Sequence, residues 1–157
     1  MRKLDRVPRT LRKLSKQLDD NFARLNSELC RTPTDEELAE SMNMTTTQLS
    51  KLMANTAGMI TLSFEELLYE DNLDESISAS SETADAKIYE REKKQVIAEA
   101  VAALPEKEKQ VVTMYYYEKL KYSEIAKVMS ITQSRVCQIH SKAMLTLKNK
   151  LESYINS

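Results

Sequence analysis

Residues Tyr122–Leu147 read YSEIAKVMSITQSRVCQIHSKAMLTL, and their pattern predicts a helix-turn-helix. Ser123 can cap a short helix over residues 124–129, after which Ser130 and Ile131 form the turn. Thr132 then caps a second, longer helix. The apolar residues of that helix recur three and four positions apart and therefore share one face: Val136, Ile139, Ala143, Leu147 and Leu151.

The opposite face of the second helix is polar and basic. At about 100° per residue it is formed by Ser134, Gln138, Ser141 and Leu145, flanked by Arg135 and Lys142. A helix of this kind can enter the major groove of DNA, where glutamine binds an adenine edge and arginine or lysine binds guanine or phosphate. An antiparallel helix pair in an ordinary bundle has the same pattern, so these residues alone leave both interpretations open.

The composition of the 157-residue chain predicts an all-α fold. It contains one Gly, three Pro and no Trp, and strand-type alternation is nearly absent. No apolar run approaches membrane-spanning length, and the first residues do not have the pattern of a signal peptide. The two cysteines lie far apart, which fits a reduced cytoplasm.

The chain offers little for catalysis or metal binding. Cys137 and His140 have the spacing of metal ligands, but two ligands do not form a zinc site, so neither a metal nor another cofactor is predicted. The single histidine, with no Gly-rich phosphate loop, nucleophile elbow or carboxylate pair, argues against an enzyme.

The net charge of −1 hides a segregated distribution. Residues 1–31 and 121–150 each carry a net charge of +5, whereas residues 63–86 carry eight acids and no Lys or Arg. Two basic ends around an acidic middle indicate two modules that face a polyanion, joined by a segment that avoids DNA or binds a basic surface.

The first basic module begins with a helix that runs from Pro8 to about Leu29. Its first turns carry four cations, which oppose the helix macrodipole: Arg9, Arg12, Lys13 and Lys16. An external phosphate would offset that cost, and a solvated basic face is the alternative. Its apolar stripe comprises Leu11, Leu14, Leu18, Phe22, Leu25 and Leu29.

A second helix-turn-helix is predicted within the first module, because residues 37–45 (ELAESMNMT) align with residues 124–132 (EIAKVMSIT). Thr34 and Glu37 form a capping box for a helix to Met42, and Thr45 caps a helix that ends near Asn55. Residues 46–51 offer little positive charge, so this unit is expected mainly to pack or dock.

The remaining boundaries divide the chain into residues 1–56, a linker over 57–86, and residues 87–157. Ala57 and Gly58 are predicted to end the first domain, and residues 60–64 could be extended. The acidic, Ser-rich stretch to residue 86 indicates a mobile linker. A helix to Ala103 and a new start at Pro105 open the last domain.

The chain resembles bacterial sigma factors over essentially its whole length. Residues 104–109 (LPEKEK), 123–126 (SEIA) and 134–143 (SRVCQIHSKA) resemble region 4, which recognises the promoter −35 element. Residues 5–9 (DRVPR) resemble the start of region 3 in the flagellar, motility and sporulation type, although an aromatic residue usually stands in place of Arg6.

The resemblance implies a function and a set of site residues. The helix over residues 132–145, hereafter the reading helix, would enter the −35 major groove, and region 3 would approach DNA upstream of the −10 element. Base contacts fall to Gln133, Ser134 and Gln138, and contacts to the DNA backbone to Thr132, Arg135, Ser141 and Lys142. Upstream contacts fall to Asp5, Arg9, Arg12 and Lys13.

The same resemblance implies core RNA polymerase and promoter DNA as partners, and a FlgM-type anti-sigma factor as an inhibitor. The acidic linker resembles the segment that occupies the basic RNA path of the polymerase. Ser130 replaces the glycine frequent in that turn, and Leu145 and Thr146 replace common basic residues.

Region 2, which melts the −10 element, has no counterpart in this sequence, so we expect a fragment that does not start transcription alone. The alternatives are a free-standing helix-turn-helix regulator, which would need to dimerise to reach two half-sites, and an adaptor that never touches DNA.

Overall fold

The computed structural model describes residues 9–77 and 84–156, and within them the chain forms helices and no strand. The all-α prediction is therefore confirmed for this part of the chain. The helices are α1 (Arg9–Leu29), α2 (Asp35–Ser41), α3 (Thr46–Ile77), α4 (Ala84–Ala102), α5 (Glu106–Val112), α6 (Tyr122–Met129) and α7 (Gln133–Ile155). A π-helical turn over Thr113–Tyr117 continues α5. Among the described helices, none is both long and apolar enough to cross a membrane.

The first helix-turn-helix, α2–α3, has the predicted caps. The Thr34 amide donates to Glu37 Oε1 (2.8 Å) and the Glu37 amide donates to Thr34 Oγ1 (3.1 Å), so the capping box is complete. Thr45 and Gln48 form an equivalent reciprocal pair at 2.9 and 3.1 Å. Asn43 makes the turn between the helices in the left-handed region, with φ of 55°.

The second helix-turn-helix, α6–α7, has the same turn but a different first cap. The α6 helix begins at Tyr122, and the Lys121 amide donates to Glu124 Oε1 at 2.8 Å. The prediction that Ser123 caps this helix is wrong, because the Glu124 carboxylate reaches the amide one turn back and Ser123 is already helical. Ser130 adopts φ of 56°, and Thr132 caps α7 by accepting the Arg135 amide at 3.1 Å, as predicted.

Helix α3 runs for 32 residues, from Thr46 to Ile77. The predicted helix end near Asn55 and the extended stretch over residues 60–64 are therefore wrong. A single glycine costs only about 1 kcal/mol relative to alanine within a helix, and tertiary packing outweighs Gly58 here, since the neighbouring Ala57 is buried. The predicted linker is helical as far as Ile77, and residues 78–83 lie outside the described residues.

The largest apolar core draws on both halves of the chain. Its buried members include Leu18 and Phe22 of α1, Leu38 of α2, and Ile125 and Val136 of the second helix-turn-helix. Burying a large aliphatic side chain stabilises the fold by about 1.5–3 kcal/mol, so this shared core holds the two helix-turn-helix units together. Leu29, the last member of the predicted α1 stripe, is instead exposed at the helix end.

A smaller core joins α3 to the carboxy-terminal helices. Leu104, Val112, Ala143 and Leu147 are among its buried members, and Ile60 and Phe64 pack against it; both lie near the middle of α3. Helix α3 therefore contributes residues up to Ala57 to the larger core, and Ile60 and Phe64 to the smaller one.

Candidate nucleic-acid interface

The reading helix forms the first half of α7, and its apolar face is buried as predicted. Val136, Ile139, Ala143, Leu147 and Leu151 are each at most 5% exposed. The predicted phosphate-binding side chains Arg135 and Lys142 are exposed, and so is Leu145. The sequence periodicity therefore assigned the inner face of α7 correctly.

The amino terminus of the reading helix is bound by a carboxylate from the first helix-turn-helix. The Gln133 amide donates to Asp35 Oδ2 at 3.1 Å, and the Ser134 amide donates to Asp35 Oδ1 at 3.0 Å. The first amides of a helix lack partners within the helix and carry partial positive charge. A DNA phosphate would bind such amides in the same way, so Asp35 occupies an anion position.

Two of the predicted base-contacting side chains are also engaged within the chain. Ser50 Oγ donates to Gln133 Oε1 at 3.0 Å, and Gln138 Nε2 donates to Asp19 Oδ1 at 2.9 Å. We call Asp19, Asp35 and Ser50 the covering surface. One polar atom of each side-chain amide that would bind a base edge therefore already has a hydrogen-bond partner on the covering surface.

Ser134 was expected to face outward, and this expectation is wrong for the arrangement in the structure. The side chain is only 1% exposed, and its hydroxyl lies 3.1 Å from Thr132 Oγ1. The physical reason is the proximity of α2, whose Asp35 binds the Ser134 amide and thereby covers this face of the helix.

The structure brings predicted residues from the two ends of the chain to one groove. A cavity of about 400 Å³ between α1, α3 and α7 is lined by Arg12, Ser141, Leu145 and Lys148, among others. Arg12 was predicted to contact upstream DNA, and Ser141 the −35 backbone. Arg9 and Lys13 are exposed on α1, and Asp5 lies outside the described residues.

Sequence reasoning missed the covering surface. Asp35 is 99 residues from Ser134, and Asp19 is 119 residues from Gln138. The only signal was the position of Asp35 in an acidic first turn, which favourable interaction with its own helix already explains.

The described residues give no indication of a metal centre. They contain no group of three His, Cys, Asp or Glu side chains that could hold a metal ion. Cys137 is buried, and burial raises the pKa of its thiol to about 12, so the thiolate that a metal requires is disfavoured.

Comparison with known protein families identifies both halves of the chain. Residues 3–87 match the family described as Sigma-70 region 3, and residues 100–149 match Sigma-70, region 4. The chain is 33% identical to RNA polymerase sigma-D factor of Bacillus subtilis (strain 168), over 99% of this chain and 63% of that protein. It thus spans less than two thirds of that relative.

Two further comparisons agree. RNA polymerase sigma factor FliA of Yersinia enterocolitica is 30% identical, over 98% of this chain and 68% of that protein. The solved cocrystal structure of a flagellar sigma/anti-sigma complex, Sigma-28/FlgM, superposes with a TM-score of 0.78 at 32% identity, covering 92% of this chain and 62% of the solved chain. The chain therefore belongs to the sigma-70 family of RNA polymerase sigma factors, in which it corresponds to regions 3 and 4 of the flagellar FliA/SigD type.

Proposed function

We propose that this protein supplies the promoter-recognition part of a flagellar-type sigma factor, a non-enzymatic role in transcription initiation. The observation that carries the proposal is the α6–α7 unit, in which a left-handed turn at Ser130 leads into a capped helix. Polar side chains occupy the first turns of that helix, where a helix-turn-helix approaches base edges. The match to Sigma-70, region 4 supports the −35 element as its target.

The residues of the reading helix divide into two roles. Gln133, Ser134 and Gln138 contact bases, because glutamine can form two hydrogen bonds with an adenine edge. Thr132, Arg135, Ser141 and Lys142 contact phosphates, which gives affinity without sequence preference.

Region 3 has a supporting role in this proposal. Asp5, Arg9, Arg12 and Lys13 approach the DNA upstream of the −10 element, and the exposed cations on α1 suit phosphates there. The chain docks on core RNA polymerase. When bound to the polymerase, regions 3 and 4 act as two small helical domains on either side of the acidic linker. The site of action is the cytoplasm, where the polymerase transcribes.

We infer that the arrangement in the structure is a closed state, in which the covering surface blocks the reading helix. Two-bond recognition of an adenine edge needs both atoms of a glutamine amide, and one atom of Gln133 and of Gln138 is bonded to Ser50 or Asp19, while Ser134 is buried. Promoter recognition therefore requires α7 to leave the covering surface, and docking on the polymerase supplies the energy for that separation.

We propose a FlgM-type anti-sigma factor as the partner that stabilises the closed state. The solved relatives are described as Sigma-28/FlgM complexes, and the likeness to one of them extends over 92% of this chain, across both regions. A ligand that binds only the closed state shifts the population toward it by mass action.

The test is retention of the purified chain by bacterial core RNA polymerase over a salt series, with competition by a full-length sigma factor. Retention that the competitor abolishes is the expected result. Retention that ignores the competitor, or no retention even at low salt together with a dimeric solution mass, would favour a free-standing regulator instead.

DNA recognition is tested separately by selecting duplexes from a randomised pool with the polymerase-bound chain. We expect a −35-like consensus that is lost when Gln133 and Gln138 are both replaced by alanine. Lys150→Ala, on the exposed carboxy-terminal part of α7, is the matched control and should leave the consensus unchanged.

A further inference from the structure

His140 lies in the interior of region 4, bonded through both ring nitrogens. It is the single histidine of the chain and has no exposed surface. Its Nδ1 is 2.5 Å from the Tyr122 hydroxyl, and its Nε2 is 2.8 Å from the Tyr116 hydroxyl. The Tyr115 ring packs on the imidazole, with the ring centroids 4.8 Å apart. This histidine takes no part in the proposed DNA contacts.

A neutral imidazole constrains the hydrogen bonds of this cluster. Burial lowers the pKa of His140 to about 4, so the ring is neutral near pH 7 and carries one N–H and one lone pair. One tyrosine hydroxyl must therefore donate to the ring while the other accepts from it. Tyr116 is also 2.7 Å from Thr61 Oγ1, which extends the chain of hydrogen bonds to α3.

The Tyr122–His140 bond joins the two helices of the helix-turn-helix far from their turn. Tyr122 lies eight residues before Ser130, and His140 lies eight residues after Thr132. At 1.5 Å per residue, each is about 12 Å from the turn along its helix. The covalent turn joins the two helices at one end, and the Tyr122–His140 bond joins them further along. Two anchors define an angle between the helices, which a turn alone does not.

We propose that His140 is a positioning residue of the reading helix, which fixes the angle of α7 relative to α6 through its hydrogen bonds to Tyr122 and Tyr116. The proposal rests on the reading role assigned to α7, but the angle itself is independent of that role. Tyr122 is the essential partner, because it alone of the two tyrosines lies on α6. Thr61 bonds to Tyr116 rather than to His140, so removing the Thr61 hydroxyl leaves both hydrogen bonds to the imidazole in place.

The experiment compares the full chain with Tyr122→Phe and Thr61→Val, each of which removes one hydroxyl. Residual dipolar couplings of ¹⁵N-labelled protein give the orientation of α7 relative to α6. We expect Tyr122→Phe to change this angle while circular dichroism shows unchanged helix content, and Thr61→Val to leave the angle at its original value. An unchanged angle in Tyr122→Phe would overturn the proposal and reduce the cluster to core packing.

A measurement on the unmodified chain keeps the proposal testable if Tyr122→Phe does not fold. The ¹⁵N shifts of His140 should show one neutral tautomer from pH 5.5 to 8, with a slowly exchanging proton shared with a tyrosine hydroxyl. Rapid exchange, or a mixture of tautomers, would contradict the two-sided hydrogen bonding that the proposal requires.

DNA binding separates this proposal from the proposed function. With Asp35→Asn as the background, Tyr122→Phe should lower the ratio of specific to non-specific affinity by roughly fivefold or more, with an unchanged salt slope, because phosphate contacts remain. An altered angle with no specific binding by any variant would support positioning and refute the −35 reading role. An unaltered ratio alongside an altered angle would overturn the claim that the position matters for recognition.

Discussion

The two helix-turn-helix units of this chain have closely similar backbones and opposite roles in the closed state. Each has a turn residue in the left-handed region, Asn43 in α2–α3 and Ser130 in α6–α7, with φ of 55° and 56°. Each second helix has a threonine cap, Thr45 or Thr132. The first unit provides Asp35 and Ser50 to the covering surface, and the second unit is covered.

The difference between the units lies at the amino terminus of the second helix. In the first unit, the Thr45 and Gln48 amides each donate to the other residue's side chain. In the second unit, the amides of Gln133 and Ser134 take their bonds from Asp35 of the other unit. A helix terminus whose first amides are bound by a distant carboxylate can exchange that carboxylate for a phosphate.

The largest expected effect concerns the buried histidine, which only the second unit contains. His140 has a pKa of about 4 in the fold against 6.5 for a free side chain, so the unfolded chain binds more protons between these values. The contribution of His140 to the free energy of unfolding is therefore fully present above pH 6.5. It falls as the pH drops toward 4, by about 3 kcal/mol in all.

Urea unfolding as a function of pH measures this effect, with His140→Phe as the control. The variant should lack the slope between pH 6.5 and 4, although its absolute stability is lower. Glu37, whose pKa the Arg31 guanidinium and the Thr34 amide lower to about 2, contributes at lower pH in both proteins and cancels in the comparison. Equal slopes in the two proteins would contradict the buried neutral imidazole.

The next effect concerns the replacement of the Asp35 carboxylate by a DNA phosphate at the amino terminus of α7. Asp35→Asn removes the charge and leaves one side-chain oxygen for two amides, so the closed state should weaken by about 1–2 kcal/mol. Hydrogen exchange at the Ser134 amide should accelerate, and affinity for duplex DNA should rise by roughly tenfold. Glu36→Gln, on the same turn but exposed, is the matched control and should change neither quantity. Slower exchange, or weaker DNA binding, would count against the covering role.

An effect of similar size separates base reading from phosphate binding. In the Asp35→Asn background, Gln138→Ala should cost about 1–3 kcal/mol on the preferred duplex and relax preference at one base pair. Lys51 occupies the equivalent position in the first unit, six residues after the threonine cap, and Lys51→Ala should not alter base preference. Competition binding with single-base variants of the duplex measures both. An equal loss of affinity on every sequence would refute base reading by Gln138.

The smallest effect distinguishes the two turns. A left-handed conformation costs an ordinary L-residue about 1–2 kcal/mol, and asparagine tolerates it better than serine. Ser130→Gly should therefore stabilise the chain by about 1 kcal/mol, and Asn43→Gly by only a few tenths. Chemical denaturation of the two variants provides the comparison. A larger gain in stability at position 43 would contradict the greater strain that we assign to Ser130.

Local signals predicted the parts of the fold that depend on nearby residues. The caps at Thr34, Thr45 and Thr132 and the inner face of α7 follow from side chains within one or two turns. The expected cap at Ser123 was wrong because two local signals competed, and the Glu124 carboxylate binds the Lys121 amide instead.

Long-range packing decided the rest. Helix α3 continues through Gly58 because Ile60 and Phe64, which follow it, pack against the carboxy-terminal helices. No periodicity in residues 57–77 contains that information. The bond between Asp35 and Ser134 likewise depends on how the two helix-turn-helix units pack against each other. The sequence could therefore predict the reading residues but not the surface that covers them. Their contacts with DNA stay a prediction.

The most direct test of the closed state is a distance measurement between regions 3 and 4. Cys30 is exposed and can carry a spin label, whereas Cys137 is buried and unreactive, and Lys150→Cys on α7 supplies the second site. We predict one narrow distance distribution in the free chain and a longer distance after core RNA polymerase is added. A broad distribution in the free chain would contradict the closed state, because regions 3 and 4 would then not keep one arrangement.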